Sequence, residues 1–261
     1  MSRQPVTEFG FVEPAGGLAY GIDDTRKELY SLRQARYQAL GFDLNRLAGE
    51  AASEGRRLRV LDIGAGVGLT RKYLDAWPHA ANVDLYGTDV VERTVFRRQA
   101  WAGFWMGDLI DGYPEIPSDF FDVVICEQVL EHLTSLDVPL TTLTRVLRPG
   151  GTLIAGVPIF PHGLHALRAP LVGLVNLFGP RKRGHVRAFS RITFTRLLRD
   201  KTGLVIEQAR GFRIVSGGPL RPLENLRSWW RFNRWLGKRL PGLCIEIQVL
   251  ARKPLPAAPA S

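Results

Sequence analysis

Apolar positions along the chain change texture near residue 58. Beyond it, short apolar runs cover Leu58–Ile63, Val83–Gly87, Gly103–Met106, Phe120–Cys126, Thr152–Val157, Leu204–Gln208 and Cys244–Leu250. Helically spaced segments fall between them at Leu69–Ala76, Val138–Leu147 and Ile192–Asp200. Strands that alternate with helices predict an α/β architecture with a parallel, doubly wound sheet. The unbroken apolar character of VVIC and LIAGV predicts strands buried on both faces. Before residue 58 the pattern is helical. Asp23 or Asp24 reads as an N-cap, and Leu29, Leu32, Tyr37, Leu40, Leu44 and Leu47 keep an amphipathic spacing. Gly41 is expected to split this stretch into two helices and Gly55 to end it. The division that follows is an N-terminal helical cap over 1–57 and a main domain over 58–254. The Pro/Ala-rich tail over 255–261 is expected to be disordered.

At 261 residues the chain suits one large domain, or one domain with a cap. Hydrophobic residues make up 45% and charged residues 23%, which sets aside disorder, collagen and coiled coil as readings of the whole chain. The longest apolar stretch considered, Ala169 to Phe178, falls well short of the roughly 18 residues that span a bilayer. The sequence MSRQPVTEFG lacks the apolar core of a secretory signal. Cys126 and Cys244 both sit in strand-like runs and read as reduced core residues, so a cytoplasmic protein is expected. Charge is the less ordinary feature. The chain carries a net +10, yet Arg181 to Arg239 alone holds 16 basic and 3 acidic residues. All of the excess positive charge therefore lies in one stretch, which suggests an anionic partner; a merely basic, soluble surface is the plainer alternative.

The sharpest local signal is RVLDIGAGVGLTRKYL. An apolar strand ends at Asp62-Ile63, then Gly64, Gly66 and Gly68 precede a helix. Glycines there permit a tight turn and close approach of a ligand to the backbone. The exposed N–H groups at the helix start favour a polar or anionic ligand group. The spacing G-x-G-x-G departs from the dinucleotide fingerprint G-x-G-x-x-G. A second apolar run ends on Asp89, where a carboxylate can accept both hydroxyl hydrogens of a ribose. Asp108 follows a third run, and FDVVICEQVLEHL and LRPGGTLIAGVP follow in order. Each acid could also be a turn residue or a helix cap.

In this ordered set of motifs, over roughly residues 58–252, the chain resembles the class I S-adenosylmethionine-dependent methyltransferases. HVRAFSRITFTRLL followed by a last apolar strand is similar to the ending of small-molecule and lipid-precursor members, the ubiquinone-biosynthesis-type O-methyltransferases among them. The resemblance implies a Rossmann-like sheet of seven strands whose last strand runs antiparallel. It implies S-adenosyl-L-methionine as cofactor. Gly64, Gly66 and Gly68 would pack against its methionine part and Asp62 would hold the amino group. Asp89 would bind the ribose, Asp108 the adenine amine, and Leu109 would give its N–H to the ring. Glu127 or Gln128 would face the methionine end and the acceptor.

Methyl transfer from a sulfonium depends mainly on positioning, but an oxygen acceptor must still lose a proton. Glu131 and His132 are candidate bases, with His162, His165 and His185 behind them; bracing of the helix after the fourth strand is the plainer role for Glu131 and His132. Some O-methyltransferases with Glu-x-x-Glu-His at this place hold a divalent metal. Here the first position is Gln128, whose neutral amide weakens a site for a hard cation, so a metal is left undetermined. The segment over about 158–187 is long for a connection and is expected to act as a lid. The stretch over about 222–240 mixes Trp229, Trp230, Phe232 and Trp235 with five cations, as a membrane-interfacial helix does. An amphipathic helix with its tryptophans in the core has the same composition.

The leading expectation is O-methylation of a small molecule or of a lipid- or glycan-linked precursor, with peripheral contact to an anionic membrane. An RNA 2′-O-methyltransferase, a nicotinamide-dependent oxidoreductase and a non-catalytic membrane- or RNA-binding module are the alternatives. Nucleic acid ranks lower because no separate RNA-binding motif is present.

Overall fold

The computed structural model describes residues 32–256 apart from 92–99, 164–185, 215 and 217, and before residue 32 only four short strands. Seven strands form one mixed sheet: β1 (Leu58–Ile63), β2 (Val83–Asp89), β3 (Gly103–Met106), β4 (Phe121–Glu127), β5 (Leu147–Pro158), β6 (Val205–Phe212) and β7 (Glu246–Arg252). Their order across the sheet is β6-β7-β5-β4-β1-β2-β3. Strands β1 to β5 pair in parallel, and β7 lies antiparallel between β5 and β6. This is the seven-stranded, doubly wound sheet with an antiparallel last strand that the sequence leads one to expect.

Helices α1 (Ala35–Ser53), α2 (Leu69–Leu74), α3 (Asp137–Val146), α4 (Arg191–Thr202) and α5 (Arg227–Arg239) complete the frame. The sheet is buried on both faces, and alternate residues of each central strand serve opposite cores. Leu61, Ile63, Val124, Cys126 and Leu153 belong to a cluster with Leu140, Leu143, Phe194 and Leu198 of α3 and α4. Val60, Leu85, Val123, Ile125 and Ile154 belong to a second cluster with Leu40, Leu44, Ala48 and Ala51 of α1. Continuous apolar runs are the sequence imprint of that two-sided burial. Both cysteines are free thiols buried in the core.

The amino-terminal part differs from its expected form in two ways. Asp23–Lys27 is a strand paired with Ala19–Tyr20, not a helix start, and among the described residues helical geometry begins at Leu32–Gln34. Among the described residues the buried apolar series opens at Leu32, Ala35, Ala39 and Leu40. Gly41 does not break the helix, since α1 runs unbroken from Ala35 to Ser53. The glycine answers a packing need. A Cβ there would lie 2.8 Å from Trp77 Nε1 and 2.9 Å from the Tyr73 carbonyl oxygen, so the bare backbone lets α1 approach the turn after α2. A mid-helix glycine costs about 1 kcal/mol against alanine, and this close approach offsets it.

Gly41→Ala therefore reverses the usual helix rule. It should lower stability by about 1–3 kcal/mol, because overpacking against Trp77 and a backbone carbonyl outweighs the gain in propensity. Urea unfolding reads the difference; a stabilised variant would show that α1 has room to move.

Candidate functional site

The central strands β1 and β4 lead away in opposite directions across the sheet, β1 toward β2 and β3, β4 toward β5 and β7. A crevice beyond the carboxyl ends of strands opens at such a reversal, and ligands of open α/β sheets bind there. The sequence places Asp62, Asp89 and Glu127 at the carboxyl ends of β1, β2 and β4.

The loop after β1 is shaped by three glycines, Gly64, Gly66 and Gly68, with φ of 72°, 60° and 75°. These are left-handed conformations that side chains resist. A Cβ on Gly64 would also fall 2.5 Å from Val129 Cγ2, whereas one on Gly66 would make only an ordinary 3.8 Å contact with the Gly64 carbonyl oxygen. The loop hangs on the end of β2. Gly64 and Ala65 both donate their N–H to the Thr88 carbonyl at 2.9 Å, and Gly66 donates to Asp89 Oδ2 at 2.8 Å. Asp89 Oδ1 accepts from Val91 N at 3.1 Å. Each carboxylate oxygen keeps a further lone pair, so Asp89 fixes the loop and can still receive ribose hydroxyls.

Asp62 is buried, and burial raises its carboxyl to about 7; a bond with the Thr70 side chain opposes the shift, while Glu127 and Asp89 add to it. Asp108 caps a short 3-10 turn by accepting from Ile110 N at 3.2 Å, and Leu109 is buried in that turn. Val90, Met106 and Ile110 stand exposed beside these acids, at the ends of β2 and β3 and in the turn. They supply an apolar border that the search for charged motifs missed.

Glu127 lies in a buried ionic network invisible from local motifs. Its Oε1 accepts from Gln248 Nε2 at 2.6 Å, and its Oε2 lies 3.4 Å from Arg36 Nε. Arg36 Nη1 meets Glu246 Oε2 at 3.0 Å, and Glu246 also pairs with Arg213. Arg210 donates to Gln248 Oε1 at 2.7 Å and pairs with Asp43 at 2.5 Å. Burial raises the Glu127 carboxyl to about 7, against the pull of Arg36 and of the Gln248 bond. Burial works against the charge of Arg36, but Glu246, Tyr37 and Glu127 outweigh it and its pKa is raised. Gly156 on β5 makes room, since a Cβ there would meet the Glu127 carboxylate at 2.4 Å. Polar residues at alternate positions of an apolar strand, Glu246 and Gln248, were the available sequence signal.

Past Glu127 the backbone takes a left-handed turn at Gln128, φ 58°, an uncommon conformation for a side-chain-bearing residue. Glu131 is fully buried in the 3-10 turn Leu130–His132, and His132 Nε2 lies 3.8 Å from Glu131 Oε1 with its ring half exposed. The Glu131 carbonyl accepts from Val186 N and Arg187 N at 3.0 and 3.1 Å, and Phe160 N donates to the Phe189 carbonyl. Both ends of the expected lid are thus fastened beside the carboxyl ends of β4 and β5. His165 and His185, and most of that segment, lie outside the described residues. His162 Nδ1 is 3.0 Å from Ser190 Oγ. Among the described residues no group of three or more His, Cys, Asp or Glu side chains could hold a metal.

Residues 32–209 match the family model described as a methyltransferase domain, so the chain belongs to that family. That domain is of the S-adenosylmethionine-dependent methyltransferase class. A curated relative, the highly reducing polyketide synthase acrA of Aspergillus aculeatus, is 29% identical over 144 residues; the match covers 51% of this chain but 6% of that protein's length. A protein assigned as a sarcosine dimethylglycine methyltransferase from Galdieria sulphuraria superposes with a TM-score of 0.54 at 17% identity, covering 91% of this chain and 92% of its own. The CMeT domain of the citrinin polyketide synthase gives 0.53 at 16% identity, covering 86% and 54%. At such identities these two likenesses are likenesses of fold.

The pKa of Asp62 has a definite consequence for stability. A carboxyl raised from 3.8 to about 7 keeps its proton in the folded chain while the unfolded chain has lost it. Its contribution to stability therefore falls as pH rises from about 4 to 7, and stays at the low value above that. Asp62→Asn should raise unfolding stability at pH 8 by up to a few kcal/mol and leave it nearly unchanged at pH 4. Chemical denaturation at the two pH values decides; equal effects at both would refute a proton held at Asp62.

Proposed function

We propose that the enzyme methylates an oxygen of a small molecule or of a lipid- or glycan-linked precursor. The observation that carries this reading is the set of buried carboxylates at the ends of β1 and β4, next to a glycine loop anchored by Asp89. The bound cofactor supplies an electrophilic methyl group on a sulfonium. Around it, Gly64, Gly66 and Gly68 give the loop its open backbone and Asp62 takes the methionine ammonium. Asp89 receives the ribose hydroxyls, and Asp108 with the Leu109 N–H reads the adenine edge. Val90, Met106 and Ile110 border the base. Glu127, fixed by Arg36 and Gln248, stands at the methionine end and faces the acceptor.

The acceptor's proton goes to His132, whose ring is aligned by Glu131, with His185 from the return of the lid as a second candidate. Support for this pair is the buried Glu131 carboxylate beside a half-exposed imidazole. In the functional unit over 58–254, the segment over about 158–187 serves as a lid over the acceptor.

Contact with an anionic membrane is the second part of the reading. Among the described residues no helix is long and apolar enough to cross a membrane. The aromatic residues of α5 divide between two roles. Trp230 is buried, whereas Phe232 and Trp235 are 43% and 50% exposed and stack at 6.3 Å. Leu226, Leu240 and Leu243 are exposed near them, and Arg239 lies over the Trp235 ring. An exposed aromatic stripe among Arg and Lys residues suits the headgroup layer of an anionic leaflet.

Isothermal titration with S-adenosylmethionine tests the core of the reading. Affinity should rise as pH goes from 6 to 8, because Asp62 must lose its proton to hold an ammonium. Asp89→Asn keeps an acceptor for Gly66 N–H but forfeits the charge, and should weaken binding about ten- to hundredfold. His132→Ala should slow turnover with cofactor affinity intact. Unchanged affinity in folded Asp89→Asn would remove the ribose assignment.

Vesicle sedimentation checks the membrane part. Phe232→Ser with Trp235→Ser should reduce binding to anionic vesicles without unfolding the chain, since both rings are exposed. Binding of the parent should fall between 0.05 and 0.5 M salt as screening shortens to several ångströms. A double variant that sediments as well as the parent would eliminate these two residues as anchors.

A further inference from the structure

A second cavity opens on the same edge of the sheet as Glu127. It has a volume of about 520 Å³ and is lined by His162, Arg191, Ile192, Lys238, Arg239 and the turn Leu240–Leu243. The topology accounts for its place. His162 lies four residues past the carboxyl end of β5, and Leu243 lies three residues before the amino end of antiparallel β7. Arg191 opens α4 next to the capping Ser190, and Lys238 and Arg239 close α5. The cleft therefore sits off β5 and β7, beside the β4 strand that ends on Glu127.

Its chemistry is one-sided. Two arginines, a lysine and an imidazole line it, and among the described residues no carboxylate does. Among the described residues neither Arg191 nor Arg239 pairs with an acid. The Arg191 side chain runs alongside Gly242. His162 is oriented by Ser190 at 3.0 Å. The remaining wall is apolar, from Ile192, Leu240 and Leu243, the first two 39% and 45% exposed. Cations concentrated in a concave site with low-dielectric walls focus positive potential, and guanidinium forks match phosphate oxygens. The volume falls in the range of small-molecule sites.

We propose that this cleft binds the phosphate or diphosphate group of an amphiphilic acceptor, with the acceptor's apolar part against Leu240, Leu243 and Ile192. This rests on the methyltransferase reading above and gives the acceptor a chemical class, a phosphorylated amphiphile. Arg191 and Arg239 hold the anion, Lys238 and His162 complete its surround, and the reacting end extends along the strand ends toward Glu127.

The test is titration of the full chain with inorganic pyrophosphate, with and without S-adenosylmethionine. Saturable binding is expected, and Arg191→Gln with Arg239→Gln should weaken it at least tenfold. Arg196→Gln with Arg199→Gln removes the same charge from the exposed side of α4 and should leave binding unchanged. Octyl phosphate and vesicles of phosphatidic acid then serve as competitors. Displacement by octyl phosphate supports a free phosphorylated metabolite, and displacement by the vesicles alone supports a lipid headgroup. Absence of saturable binding, or equal loss in both double variants, overturns the proposal. Because cofactor binding is read in the same titrations, a chain that binds S-adenosylmethionine and not pyrophosphate refutes the cleft alone; the reverse refutes the cofactor reading alone.

Discussion

Burial of charge at the carboxyl edge of the sheet is the constraint on which the site depends. Arg36, Arg210 and Arg213 oppose Asp43, Glu127 and Glu246, with Gln248 bridging them, and all seven are buried or nearly so. Ions removed from water cost several kcal/mol each, so a network of this kind persists only when complete; loss of one partner leaves an uncompensated charge. Completeness fixes geometry. Asp43 and Arg36, two turns apart on α1, reach β6 in one case and β4 and β7 in the other. The helix cannot slide without breaking three buried pairs. Thus the amino-terminal helix, which precedes every motif of the cofactor site, helps to set the position of the Glu127 carboxylate.

The same edge carries a second economy of structure. Asp89 receives the Gly66 N–H, so the residue proposed for the ribose also holds the glycine loop. Under that proposal ribose and loop share one anchor, and the loop keeps its left-handed glycine backbone through that side chain. Burial raises both Asp62 and Glu127, at the ends of neighbouring strands, to about 7, and the Glu127 charge adds to the shift at Asp62 while Arg36 opposes the shift at Glu127. A positively charged cofactor is the partner that such a pair is suited to receive.

Legibility in the sequence followed the range of the interactions. Strand positions were readable because each run declares itself within a few consecutive residues, and β1 and β3 coincide with their expected bounds. The glycine loop and the acids that follow it were readable for the same reason. The start of α1 was not, because whether Asp23–Lys27 is helix or strand is decided by its pairing with Ala19–Tyr20. Gly41 was misread because its purpose is a contact with Trp77, in another element. Gln248 and Glu127 are 121 positions apart, and Arg210 and Asp43 further still, so no local pattern could reveal the network.

Net charge was legible in amount but not in destination. Several of the 16 cations between Arg181 and Arg239 are committed inside the fold. Arg210 and Arg213 neutralise buried acids, and Arg187 donates to the carbonyls of Leu133 and Thr134. Arg199 and Lys201 pair with Asp200 and Asp137 at the surface, where such pairs contribute little. What faces a common space is a smaller set, Arg191, Lys238 and Arg239, gathered by the start of α4 and the end of α5. These two helix ends meet because β7 returns antiparallel between β5 and β6, which brings the chain back to the carboxyl edge just before Glu246. The topological feature that closes the sheet thereby also turns a diffuse basic stretch into a defined cationic cleft at the carboxyl edge of the sheet.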